Sequence, residues 1–175
     1  MKVLGISGWS GAGKTTLLAE LIPLLVARGI TVSTIKHAHH EFDVDKPGKD
    51  SYRHREAGAS EVLISSAKRY AIMHELRDAP EPELDDLLTR LSPVDLVLVE
   101  GFKKSAHPKI EIWRASVGKP MLHPDDASVI AVASDAPLPG LALPQLDANQ
   151  PQQVADFILA WLRSGTGEAR RGAAE

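Results

Sequence analysis

The residues with the clearest chemical promise stand near the start of the chain, where Gly8-Trp9-Ser10-Gly11-Ala12-Gly13-Lys14-Thr15 fits the pattern G-x-x-x-x-G-K-[ST]. That spacing suits the gripping of a polyphosphate. Glycines let the backbone curl until successive N–H groups point inward at phosphate oxygens, and the helix that follows turns its positive end to the same anion. Lys14 is then placed to reach the β and γ phosphates, and Thr15 carries a hydroxyl able to hold a magnesium ion. A second group follows from the same logic. A magnesium in such a loop usually needs a carboxylate at the end of an apolar strand, and the run Leu96-Val97-Leu98-Val99 delivers Glu100, followed by Gly101. Glutamate is longer than the more usual aspartate, which points to contact through metal-bound water or with the attacking group. An ordinary charge at a strand end is the plain alternative.

Three further sets of residues invite chemistry without fixing it. Lys36-His37-Ala38-His39-His40 places cationic or metal-binding side chains directly after a strand. Lysine and partly protonated histidine attract an anionic substrate or phosphate, whereas H-x-H-H is not a usual zinc spacing. A solvated loop is the third reading. Asp43 to Asp50 forms a charged loop of the kind that orders around a γ phosphate and magnesium, with Asp45 or Asp50 near metal-bound water. Arg53, on the helix that follows, is a candidate partner for an anion, although a charged helix face explains it equally well. Asp135, after the run Ser128 to Ala133, is the carboxylate best placed to accept from the two N–H donors of a guanine edge; a turn before Pro137 accounts for it as readily. There is no Asn-Lys-x-Asp sequence, so spacing alone leaves GTP and ATP open.

These residues need elements to hold them. Lys2 to Ser7 reads as a strand, and Lys14 to Arg28 as a helix with Leu17, Leu18, Leu21, Leu24 and Leu25 on one stripe, kinked or interrupted at Pro23 and closed by Gly29. Ile30 to Lys36 alternates as a strand. Asp50 or Ser51 is a plausible cap for a helix ending near Gly58. Glu61 to Ser66 and Tyr70 to His74 read as short strands, and Glu81 to Leu91 as a helix. Strands are also expected at Leu96 to Val99, Lys109 to Arg114 and Ser128 to Ala133, with an amphipathic helix at Val154 to Leu162. Strand and helix alternation behind a phosphate loop predicts a doubly wound α/β fold, a mostly parallel sheet flanked by helices, with ligands at the carboxyl ends of the strands.

Composition sets bounds. With 175 residues and 43% hydrophobic content, one nucleotide-binding domain over 1–163 and a flexible tail over 164–175 are expected. A domain of this size buries roughly 70% of the surface its unfolded chain exposes. A net charge of −3 gives no global attraction to nucleic acid or to anionic membranes. The absence of cysteine excludes disulfides and thiolate metal sites. With no leader or membrane span visible, a cytoplasmic protein is expected.

Taken together, Gly8 to Thr15, Thr34-Ile35-Lys36-His37-Ala38-His39-His40, Asp43 to Ala57, and Leu98-Val99-Glu100-Gly101-Phe102-Lys103 resemble the molybdopterin-guanine dinucleotide biosynthesis protein B (MobB) family over roughly residues 2 to 163. The Lys-His-x-His-His and Pro-Gly-Lys-Asp-Ser-x-Arg elements are the specific ones. The resemblance implies a GTP-binding P-loop protein with weak GTPase activity and a homodimer. It implies an accessory or adaptor to the MobA-type guanylyltransferase that joins GMP to molybdopterin. Carried over by position, it puts phosphates on Gly11, Gly13, Lys14, Thr15 and Thr16, in a loop that opens at Gly8 and includes Ala12. Magnesium falls near Thr15 and Glu100, and pterin or partner contacts near His37, His39 and His40. Slow turnover agrees with the residues, since neither a water-orienting glutamine nor an arginine finger is evident. Two other classes share the motifs. One is a small-molecule kinase or ATP-dependent ligase with Glu100 or Asp50 as base; the other is a metal-delivery GTPase that carries its cargo on the histidines.

Overall fold

A strand buried on both faces of a parallel sheet must be apolar at successive positions, and β5 (Leu96–Glu100) meets that demand with four residues that are fully buried. It lies inside a six-stranded sheet of order β2-β5-β1-β6-β7-β8, formed with β1 (Lys2–Ser7), β2 (Val32–Lys36), β6 (Lys109–Trp113), β7 (Val129–Ser134) and β8 (Gln145–Asp147). Every neighbouring pair in it is parallel. The structure is a computed structural model that describes residues 1–38 and 42–164. The expected anion ligands His39 and His40 lie outside the described residues, as does the expected tail from 165 onward. The chain divides into two compact units, Met1–His37 with Leu88 onward, and Ala38–Leu87.

In the first unit the direction of winding reverses at β1. From there the chain places β2 and β5 on one side, and β6, β7 and β8 on the other. In open α/β sheets such a switch point opens a crevice at the carboxyl ends of the strands, and the phosphate loop stands there. Helix α1 (Lys14–Val26) and helix α4 (Pro151–Ser164) cover one face. Leu17, Leu21 and Leu25 pack with Val154, Ala155 and Ile158 over Leu4, Ile6, Leu98 and Ile110. Pro23 does not interrupt α1, which continues to Val26 and closes through bonds from Gly29 N–H to Val26 O at 2.9 Å and from Ile30 N–H to Leu25 O at 3.2 Å.

The second unit holds helix α2 (Asp50–Glu56), the antiparallel pair β3 (Glu61–Ser65) and β4 (Tyr70–His74), and, at its end, helix α3 (Leu84–Leu88). Two local expectations change. Lys49 occupies the cap position of α2, because the Ser51 hydroxyl donates to Asp45 Oδ1 at 2.8 Å instead of bonding the helix end. The helix read from Glu81 to Leu91 spans only Leu84–Leu88: Pro82 disfavours the helical conformation at Glu81, and at the other end the chain leaves the helix in a turn in which Leu91 N–H donates to Leu88 O at 3.3 Å. Strand β8 has no counterpart among the elements read from sequence. Its three residues carry too little alternation to mark a strand until β7 pairs with them.

Candidate functional site

The loop from Gly8 to Gly13 joins β1 to α1, so its position follows from a strand that cannot move without disrupting the sheet core. Gly8 shows why glycine is required. Its φ is +141°, and a Cβ added there would collide with the Ile112 carbonyl of β6. Lys14 folds back over the loop, its Nζ donating to the Trp9 carbonyl at 3.0 Å. Burial lowers the Lys14 pKa below the usual lysine range; Glu100 opposes this, while Lys103 and Lys36 add repulsion. This ammonium is poised to gain from an incoming anion.

Glu100, at the carboxyl end of β5, faces the start of α1. The Thr15 hydroxyl donates to its Oε1 at 3.1 Å and lies 3.4 Å from Oε2. Lys36, at the carboxyl end of β2, brings Nζ within 3.6 Å of Glu100 Oε2. Parallel pairing of β2 with β5 sets that approach, since Lys36 and Glu100 are register partners. A hydroxyl and a carboxylate brought together beside a phosphate loop are the donor types of a magnesium site. The residues present therefore fit magnesium and a nucleotide triphosphate.

The turn after Glu100 is tightly built. Gly101 has φ +103°, and a Cβ there would stand 2.5 Å from His37 Cβ. Phe102 holds a left-handed φ of 47°, which costs on the order of 1–3 kcal/mol, and its ring stacks on His37 at 4.8 Å. His37 N–H donates to the Glu100 carbonyl at 2.8 Å. His37 and Lys36 thus border Glu100. Arg53 lies exposed on α2 in the second unit. Its neighbour Arg55 pairs with Asp43 at 2.8 Å and Glu75 at 3.4 Å.

Asp135 follows β7 and lines a cavity of about 290 Å³ with Ser134, Pro137, Gln145, Asp147 and Gln153. It is engaged by a residue that sequence reading missed. Arg114, the first residue past β6, donates from Nη1 to Asp135 Oδ2 at 3.0 Å, from Nη2 to Asn149 Oδ1 at 2.9 Å, and from Nε to the Ala12 carbonyl at 3.2 Å. The rule that singled out Glu100, a charged residue at the carboxyl end of an apolar strand, applies equally to Arg114. Trp9 stands at a position that the loop pattern leaves unspecified, yet it is held at both its ring and its N–H. Its indole donates to Pro120 O at 2.7 Å, and Lys103 Nζ lies 4.6 Å from its ring centre. Among the described residues no three His, Asp or Glu side chains cluster as metal ligands, and no helix is long and apolar enough to cross a membrane.

Comparison with known proteins gives a consistent result. The family model described as molybdopterin guanine dinucleotide synthesis protein B (MobB) matches residues 3–135. The chain is similar to the molybdopterin-guanine dinucleotide biosynthesis adapter protein of Escherichia coli (strain K12), 48% identical over 168 residues, which span 94% of this chain and 95% of that one. Its counterpart in Haemophilus influenzae is 49% identical over 163 residues, covering 91% and 89%. Among solved structures, the crystal structure of a molybdopterin-guanine biosynthesis protein B superimposes with a TM-score of 0.74 at 30% identity, over 92% of this chain and 99% of that one.

Proposed function

The chain belongs to the molybdopterin guanine dinucleotide synthesis protein B family, and on that premise we propose that it is an adapter in molybdopterin-guanine dinucleotide biosynthesis that binds GTP with magnesium. Relatives 48% and 49% identical carry the adapter name, which supports the role. The observation that carries the nucleotide part is the approach of Thr15 Oγ1 to Glu100 Oε1, 3.1 Å, directly beside the glycine loop. Bound magnesium would be held by Thr15 and Glu100 and would supply positive charge that offsets the charge of the phosphates.

The chain's own residues divide the remaining work. Loop N–H groups from Gly11 to Thr16 orient the phosphates, and Lys14 leaves the Trp9 carbonyl to meet them. Glu100 and Thr15 hold the metal, and Lys36 and His37 offer positive or donor groups to an anion at the same edge. Asp135 accepts from the guanine edge. The partner in this reading is the MobA-type guanylyltransferase, the chain works as a homodimer in the cytoplasm, hydrolysis is slow for want of a water-orienting glutamine and an arginine finger, and the bound nucleotide acts as a conformational signal.

Two measurements test this. Equilibrium dialysis with magnesium is expected to retain GTP in preference to ATP, and adding the protein with GTP is expected to raise dinucleotide cofactor yield from the guanylyltransferase. An unaltered yield refutes the adapter role. Rapid ATP consumption stimulated by a small acceptor points instead to a kinase.

A further inference from the structure

We propose that Arg114 is the positioning residue that sets purine choice, by fixing the carboxylate of Asp135 and the phosphate loop to one rigid guanidinium. The inference rests on the reading of this site as a GTP site, and it adds how guanine is distinguished there. The surroundings of Asp135 set it apart from its polar neighbours. Of the polar groups in its cavity, Gln145 is occupied by Leu138 N–H at 3.0 Å and the Ala136 carbonyl at 2.8 Å. Asp147 is occupied by Asn149 N–H at 2.8 Å and Gln150 Nε2 at 3.1 Å. The Ser134 hydroxyl donates to the Ala136 carbonyl at 2.8 Å, and the side-chain oxygen of Gln153 accepts from Asp147 N–H. Asp135 differs. Arg114 engages its Oδ2, and no described residue donates to Oδ1.

An acceptor held by one oxygen and open at the other suits an edge that presents adjacent N–H donors, as guanine does with N1–H and its 2-amino group. Adenine presents an acceptor nitrogen at that edge, which a carboxylate repels. The placement agrees with the topology. Asp135 and Asn149 follow β7 and β8, on the β6 side of the phosphate loop and at the carboxyl ends where ligands bind. A base there and a triphosphate on Gly8 to Thr15 would belong to one molecule only if the span between the two sites is fixed. Arg114 fixes it, because its three contacts reach Asp135, Asn149 and the carbonyl of Ala12 from one planar fork. A lysine has the charge but cannot hold three acceptors in that plane.

The test is calorimetric titration of the full chain with magnesium and GTP, ITP or ATP, for the wild type and for Arg114→Lys, Arg114→Gln and Asp135→Asn. ITP lacks only the 2-amino group, so the GTP to ITP ratio reads the Asp135 contact. A merely structural role lowers all three affinities together. Wild type is expected to prefer GTP over ITP by roughly tenfold to a hundredfold, the value of a hydrogen bond to a charged group. The ratio is expected to fall to within about threefold in all three variants. Equal losses for GTP, ITP and ATP in the Arg114 variants overturn the inference, as does wild-type discrimination retained by Arg114→Lys. Asp135→Asn, at an exposed position, keeps the question decidable should an Arg114 variant fail to fold; an unchanged ratio there also overturns it. Wild type that binds triphosphates without preference refutes the inference and leaves phosphate binding standing, whereas wild type that retains no triphosphate refutes the GTP reading itself.

Discussion

Replacing Lys14 with methionine separates binding from folding. The ammonium donates to the Trp9 carbonyl at 3.0 Å, and that carbonyl also accepts Ala12 N–H at 3.2 Å, so it keeps a partner when the lysine goes. The folded-state pKa of Lys14 is lowered, chiefly by burial, so the unfolded chain holds this proton more tightly. The sign follows directly: the charge penalises the folded state at pH 7, and the penalty fades as pH rises toward 10.5. Lost hydrogen bonding and relieved desolvation oppose each other, and without nucleotide the variant is expected to melt within about 4 °C of wild type. Binding behaves differently. Charge-assisted bonds to two phosphate oxygens are worth about 1.5–3 kcal/mol each. Surrender of the Trp9 bond offsets about 1 kcal/mol. The net loss is about 2–5 kcal/mol, roughly thirtyfold to several-thousandfold in Kd. Calorimetric titration with magnesium and GTP measures it, and differential scanning calorimetry measures the melt. Unchanged affinity refutes the placement of Lys14 on phosphate, and a fall of more than about 10 °C refutes the claim that the ammonium is dispensable for folding.

Glu100→Ala is expected to abolish most of the magnesium dependence of GTP affinity; titrations with magnesium and with a chelator should then agree within about threefold, since the carboxylate beside Thr15 is gone. Gly101→Ala places a Cβ against His37 in a left-handed turn and is expected to destabilise by about 2–3 kcal/mol in urea unfolding. For Asp126, burial opposes ionisation, but hydrogen bonds from Ser128 and from the buried Lys109 outweigh it and hold its carboxyl below the usual range. Its stabilisation is present above the ordinary aspartate pKa near 3.9 and is lost as pH falls through the lowered value. Asp126→Asn is therefore expected to cost about 2–3 kcal/mol at pH 7 and progressively less below about pH 4, as urea melts across that range will record.

The phosphate loop, the strand that ends in Glu100 and the stripe of leucines on α1 were legible because each depends on neighbours in sequence. The loop needs glycine where φ is positive, a buried parallel strand needs an unbroken apolar run, and a helix needs apolar residues at its own period. Lys36 was legible as a cation at a strand end, but its place beside Glu100 depends on β2 pairing with β5 across 60-odd intervening residues. Strand β8 was not legible, because three residues after Pro144 carry no periodicity of their own.

The amino-acid sequence by itself determined which groups are on offer: a glycine loop closed by Lys14 and Thr15, a carboxylate at the end of a buried strand, and an alternation of strands and helices to present them. Tertiary structure alone decided which distant residues share the site. Arg114 reaches Ala12, Asp135 and Asn149 because β6 lies between β1 and β7. That adjacency is a property of strand order, which arises from burial of whole sheet faces and not from any local pattern along the chain.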